Sequence, residues 1–290
     1  MIVTKLLLPA GLAFIMFAMG LTLKVTDFTR LLKRPLPVAL GLMVQMLLLP
    51  LLAWLLLMVW KLPPVYAVGI MILAACPGGI TSNMITHIAR GDTALSITLT
   101  AITSLAGMVS IPLIVGLALS WFTGAPAQDL PAPRMALGVF MVSTLPVVLG
   151  MTIHHLAPAL ARRIERVARP VSLVVFALIV LAAFASQWQV MMSNLHIIGP
   201  VVLALNVLIM LLGWHLGRLA GLPADQKTAI AIEGGLQNGA LGIFVATTLL
   251  NNPQMMTPSI TYALIMNFTA FIFIAWRLYA ARQQAGARAM

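Results

Sequence analysis

Acidic side chains are scarce in this chain. Six Asp and Glu stand against seventeen Lys and Arg in 290 residues, and charged residues of both signs make up only 8%. A soluble domain carries roughly a quarter, so that class is excluded. The 61% hydrophobic content and mean hydropathy of +1.05 point instead to an all-α polytopic membrane protein. A single cysteine, Cys76, rules out an internal disulfide and a cysteine-rich metal site. His-Glu-x-x-His, a Gly-x-Ser-x-Gly elbow and a paired intramembrane aspartate are all missing, which leaves an intramembrane enzyme as the remotest alternative. The histidines (His87, His154, His155, His196 and His215) match no transition-metal spacing. No nucleic-acid partner is expected despite the net charge of +11, because the basic residues fall in short loops between apolar runs. Met1–Ala10 carries one lysine and continues into a full apolar run, so no cleavable leader is expected.

What the chain does have is hydrophobic length. A span needs about 20 apolar residues. Nine are expected, near 6–23, 36–59, 65–89, 93–121, 135–156, 170–187, 197–220, 227–250 and 258–280, in one transmembrane domain covering 1–290. The longest polar connection is Phe122–Arg134. With the first loop in the cytoplasm, fourteen of the seventeen basic residues fall on that side, including Lys24, Arg30, Lys33, Arg34, Arg162, Arg163, Arg166 and Arg169. Only Lys5, Lys61 and Arg134 fall on the other. That asymmetry predicts an outside N-terminus, a cytoplasmic C-terminus and an odd number of spans.

Two spans are interrupted alike. The third reads Cys76-Pro-Gly-Gly-Ile-Thr-Ser82-Asn83 and breaks over 77–83. The eighth reads Glu233-Gly-Gly-Leu-Gln237-Asn238 and breaks over 233–238. Paired glycines weaken a helix, and Pro77 removes a backbone donor. By count the two breaks run in opposite directions, the pattern of an inverted-repeat transporter whose site lies between broken helices. Two spans precede the first break and four separate the two, as in a five-plus-five architecture short of one helix at the front.

Glu233 is the one acidic residue inside a span. Asp27, Asp92, Asp129, Glu165 and Asp225 lie in loops or at span ends. A carboxylate at mid-bilayer depth costs about 2.5–3.5 kcal/mol on insertion scales. A cation held by Glu233, Gln237 and carbonyls freed at the break removes that cost; the alternative is a protonated, structural carboxylate. Ser82 and Asn83 follow the first break, and Ser96 and Thr100 share one face of the next span. Uncharged oxygens of this kind suit a dehydrated monovalent cation, by extension of the oxygen preference of hard ions. They also serve as interhelical glue. Gln45 stands alone in the second span and Asn267 is similar in the last, both open to a packing role; Asn206 reads as packing.

At these residues the chain resembles the bile acid:sodium symporter family, particularly bacterial members in a nine-helix form. The likeness rests on Met19-Gly-Leu-Thr-Leu-Lys24 with Asp27-Phe28, Lys33-Arg-Pro35, Gln45 with Pro50, Cys76-Pro-Gly-Gly79, Ser82-Asn83, Ala89-Arg-Gly91, Ala94-Leu-Ser96, Gln226-Lys-Thr228 and Glu233 with Gln237-Asn238. It implies two inverted repeats divided into a core and a panel domain, with the broken helices crossing in the core. It also implies two sodium ions. Ser82, Asn83, Ser96, Thr100 and Glu233 would form the first sodium site; Glu233, Gln237, Gln45 and carbonyls around Gly234 and Leu236 the second. Asn238 would contact substrate, with Asn267 a further candidate. Ile80 stands where the bacterial members carry threonine, a substrate-contact position. Gly239-Ala240 stands for Ser-Gly, and Met266 for a histidine. A chain of this form would lack the extra N-terminal helix of ten-helix members.

The expectation is a monomeric, sodium-coupled symporter of organic anions in the bacterial inner membrane, working by alternating access. Its cargo would be bile-acid-like or a small carboxylate such as pantoate. A proton-coupled or sodium-independent carrier or exporter of the same fold is the alternative. The charge asymmetry predicts that green fluorescent protein fused to the C-terminus fluoresces and that alkaline phosphatase fused there is inactive. The reverse pattern would invert the orientation.

Overall fold

The computed structural model describes residues 6–28, 35–125 and 132–288. Lys5, Arg30, Lys33, Arg34 and Asp129, used in the charge and motif readings above, lie outside them. Among the described residues every regular element is helical. The elements are α1 (Leu8–Gly20), the single turn α2 (Val25–Phe28), α3 (Pro35–Val59), α4 (Pro64–Ala75), α5 (Ile80–Ile88), α6 (Thr93–Thr123), α7 (Ala132–Leu156), α8 (Pro158–Leu219), α9 (Ala224–Gly235), α10 (Gly239–Phe244, continued by a wide turn over Val245–Leu249) and α11 (Thr257–Arg288). Among the described residues six helices are long and apolar enough to cross a membrane, and α4 with α5, bent by 64°, passes the same test as a pair. The protein is therefore a polytopic membrane protein.

Local chemistry sets these boundaries. Proline opens α4, and Pro9 lies in the first turn of α1, where a missing N–H costs nothing. Asp92 caps α6 by accepting from Leu95 N at 2.9 Å. Gly124 closes the same helix at φ 69°, a left-handed position open to glycine. In α3 and α7 the helix widens by one residue just before a Leu-Pro pair, over Val44–Leu48 ahead of Pro50 and Phe140–Thr144 ahead of Pro146. The wide turn absorbs a proline that an unbroken α-helix would reject.

At α8 the structure joins two of the expected spans by helix. Where the sequence suggests separate spans at 170–187 and 197–220, one helical run of 62 residues continues through Pro170 and Pro200. A straight helix of that length would measure about 93 Å, three times the hydrocarbon thickness of ~30 Å. It is not straight. Ser172 lines a cleft with Gln237 and Asn238, while Asn206 bonds the carbonyl of Gly235. A straight run would hold Ser172 and Asn206 about 51 Å apart, so the chain bends back sharply between them. Its first part packs on α1, where Gly11 faces Val175 and Ile179, and its last part on α9, where Gly213 faces Ile230 and Ala231. The α9–α10 segment, Ala224–Leu249, is the most enclosed: its apolar window is 100% buried in protein, against 39–50% for the other spans.

Helix α1 lies unusually close to α7. A Cβ on Gly150 would strike the backbone of Phe17, Gly20 and Leu21, and one on Gly20 would strike Val147. Backbone cannot yield as a side-chain tip can. Gly150→Val is therefore expected to destabilise the protein by about 3 kcal/mol, the upper part of the overpacking range, read as a lowered Tm in detergent. Gly107→Ala, whose nearest neighbour is Ile111 Cδ1 at 3.4 Å, should leave Tm unchanged or raise it.

Candidate functional site

The two interrupted helices meet at their breaks. Helix α4 stops at Ala75 because Pro77 and two glycines follow, and Cys76 turns to extended backbone. Helix α9 stops at Gly235, and Leu236 is likewise extended. The backbones then join directly: Asn238 N donates to Pro77 O at 2.9 Å. Asn238 also caps α10, its Oδ1 accepting from Leu241 N at 3.0 Å. Within hydrocarbon every such backbone group needs a protein partner, and each break supplies partners for the other.

Glu233 lies one turn before its break and is 1% exposed. Ser96 Oγ donates to its Oε2 at 2.8 Å, and the Thr100 hydroxyl donates to its Oε1. Gly78 admits this carboxylate: a Cβ there would run into Oε1 and come within 3.2 Å of Ser82 Oγ. Asn83 turns its Oδ1 toward the same hydroxyls, 2.8 Å from Ser96 Oγ and 3.3 Å from Thr100 Oγ1. The Glu233 carboxyl, the Asn83 amide oxygen and the hydroxyls of Ser96 and Thr100 thus share one buried hydrogen-bonded cluster. Oxygens gathered in this way have the donor chemistry that a hard monovalent cation satisfies.

A second polar knot adjoins the first. Gln45, on the wide turn of α3, donates through Nε2 to Gln237 Oε1 at 2.6 Å and to Cys76 O at 3.1 Å. Gln237 Nε2 donates to Gly234 O at 2.7 Å. Wide turns of this type redirect a side chain and often mark functional positions. Gln45 thereby ties α3 to both breaks at once. Gly234 packs against Val44 of that turn, and Leu236 is fully buried beside it.

The structure also brings in residues that the sequence reading left aside. Asn206 Nδ2 and Tyr262 Oη both donate to Gly235 O, at 2.7 and 2.8 Å. Thr269 Oγ1 in turn donates to Asn206 Oδ1 at 2.6 Å. The carbonyl freed by the second break is thus held from α8 and α11. Asn206 does serve packing, as expected, but at the site itself. Tyr262 and Thr269 lie seven residues apart on one face of α11, a weak signal that only Asn206 between them makes meaningful. Thr86 likewise joins the Glu233 cluster through Ser96 Oγ at 3.3 Å.

The expected substrate contacts divide. Ile80 and Asn238 line a cleft with Ile15, Met16 and Met19 of α1 and Ser172 and Phe176 of α8. Its free volume of about 20 Å³ admits roughly one water. Asn267 is not among its lining residues; its amide donates to Ala263 O of its own helix at 2.6 Å.

Comparison with known proteins gives the same direction. Residues 9–194 match the model of the Sodium Bile acid symporter family. The chain is 30% identical over 254 residues to "Probable sodium/metabolite cotransporter BASS2, chloroplastic" of Oryza sativa subsp. japonica, covering 87% of this chain and 59% of that protein. It is 30% identical over 279 residues to "Uncharacterized sodium-dependent transporter YocS" of Bacillus subtilis (strain 168), 96% of this chain and 85% of that one. The human "Ileal sodium/bile acid cotransporter" is 28% identical over 278 residues, 94% and 78% respectively. The chain thus spans less than two thirds of the rice protein's length and most of the other two.

Gly78→Ala tests the packing of the site. A methyl there contests the space of Glu233 Oε1. Any stabilisation of purified protein by sodium should fall to the level seen with choline in a thermal-shift comparison. Retained sodium stabilisation would show that the carboxylate has another place to stand.

Proposed function

The chain belongs to the Sodium Bile acid symporter family, and from that premise we propose that it is a sodium-coupled symporter of organic anions working by alternating access. The observation that carries the reading is Glu233: a lone carboxylate, enclosed by hydroxyl and amide oxygens, where two broken helices join. We assign a first sodium ion to Glu233, Ser82, Asn83, Ser96 and Thr100. A second goes to Gln45, Gln237, Glu233 and carbonyls near Gly234 and Leu236. These oxygens replace water around the dehydrated ion.

The nine-span count is part of this proposal. Helix α1, the bent pair α4–α5 and two passes from the folded-back α8 bring the six long helices to nine crossings. Helices α1, α7 and the first part of α8 serve as the panel; the remainder is the core. The cargo anion enters between them, at the cleft of Ile80 and Asn238, where the N-terminal ends of α5 and α10 carry partial positive charge. Relatives named for metabolite and for bile acid cotransport support an organic anion. Bile acids and small carboxylates such as pantoate are the two classes to screen. Ions bind first, neutralise Glu233 and set the breaks in shape; core and panel then rock about the loaded site. Two sodium ions with one monoanion carry one net charge inward, worth about 2.3 kcal/mol at 100 mV.

Uptake in proteoliposomes tests the proposal, using an anion first identified by thermal shift with and without sodium. Glu233→Gln should fold, with Tm close to wild type, and reduce sodium-driven uptake to the level of empty liposomes. Full sodium-driven uptake by that variant would remove the assignment. Uptake by wild type that ignores sodium and follows the proton gradient would make Glu233 a proton carrier instead.

A further inference from the structure

On the outer side of the second break, α8 and α11 flank an open groove of about 420 Å³ that the transport reading does not use. Val207, Leu211, Ile272 and Phe273 form its apolar wall, and His215 and Arg218 stand at the end where α8 finishes. From Val207 to Arg218 is about 16 Å of helix axis, close to the depth of one leaflet of a ~30 Å hydrocarbon layer. The wall therefore has the reach of an acyl chain, and the charged end sits where a headgroup would.

That end is basic by construction. Trp214 lines the cavity, and two cations lie over its ring, Lys227 Nζ at 5.1 Å and the Arg277 guanidinium at 5.0 Å. Trp276, also on the wall, stacks edge-on against Trp214 at 5.0 Å. Arg277 is spent on the protein: its Nε donates to Thr228 Oγ1 at 2.8 Å, and Asp225 offsets its charge. The Arg218 side chain is exposed and has no hydrogen-bond or ion-pair partner among the described residues. Lys227 is half-buried, its ammonium over the indole. Arg218 thus remains unpaired at the end of an apolar trough, with Lys227 held over the Trp214 indole next to it and two tryptophans on the wall. Basic pockets between membrane helices recognise anionic lipid headgroups through this charge complementarity.

We propose that the α8–α11 groove binds one anionic phospholipid, its acyl chain along Leu211 and Phe273 and its phosphate at Arg218 and Lys227. Thr269 and Met210 of the lining also reach the second break, but Arg218, Lys227, Leu211 and Phe273 are none of the assigned ion or substrate residues, so their variants test the groove apart from transport.

Thermal stability of the full-length protein in neutral detergent tests it, titrated with dioleoyl phosphatidylglycerol, dioleoyl phosphatidylcholine or inorganic phosphate. Wild type should be stabilised by phosphatidylglycerol alone. The double variant Arg218→Gln/Lys227→Gln should need roughly tenfold more of that lipid for half-maximal stabilisation, given what each basic group contributes near an anionic surface. Leu211→Trp keeps every charge but fills the trough, and should lose the effect too. Arg162→Gln/Arg163→Gln, a basic pair elsewhere, should keep it. The proposal is overturned if phosphatidylcholine or inorganic phosphate stabilises wild type equally, or if the groove variants respond as wild type does. Tm without lipid shows which variants are folded. If the double variant is not, Leu211→Trp decides alone.

Discussion

A carboxylate cannot rest in hydrocarbon without company, and in this protein the company of Glu233 is oxygen. Ser96 and Thr100 give it hydroxyl protons, Asn83 adds an acceptor, and Gly78 leaves the room in which it lies. The surrounding architecture follows from that need. Glu233 sits on the most enclosed segment of the fold, with α5 and α6 bringing Ser82, Asn83, Ser96 and Thr100 around it. An exposed version of the same group would cost several kcal/mol in the membrane. Enclosure transfers the problem from lipid to protein, where the charge must be matched by polar groups or by a cation.

The breaks answer a related constraint. Helices interrupted at membrane depth free carbonyls and amides that lipid cannot satisfy. Here the freed groups satisfy one another: Asn238 N with Pro77 O, Gln45 with Cys76 O and Gln237, Gln237 with Gly234 O, and Asn206 and Tyr262 with Gly235 O. All of these but Gln237 with Gly234 O cross between elements, so the geometry around Glu233 is tied to α3, α8 and α11. Such coupling lets occupancy by an ion bias the position of whole helices, provided the two states differ in affinity for it.

Much of this was legible in the residues. A lone acid in an apolar run and two Gly-Gly interruptions are local signals, and they marked the place where the structure brings α4–α5 and α9–α10 together. The partners of the acid were legible through chemistry, since Asn83, Ser96 and Thr100 are polar where lipid would not tolerate polarity. The rest depends on tertiary geometry. The chain stays helical from Pro158 to Leu219, so the two spans expected at 170–187 and 197–220 are joined without the non-helical linker that the polar residues between them suggest. The fold-back of that run shows only in what Ser172 and Asn206 touch. The wide turn that aims Gln45 is tied to Pro50 five residues on, a link that periodicity alone does not reveal. Tyr262 and Thr269 look like ordinary residues of an apolar helix until Asn206 is placed between them. Asn267 reads as polar in the same way as Gln45, yet its amide turns back on its own helix.

The central claim is that the Glu233 cluster is completed by sodium. Equilibrium binding of radioactive sodium to the purified protein, in the absence of any organic anion, tests it most directly. Wild type should take up sodium saturably, to two ions per chain, and Glu233→Gln, folded by its Tm, should take up none with comparable affinity. Saturable binding that survives unchanged in the variant, or none in wild type, would contradict the account.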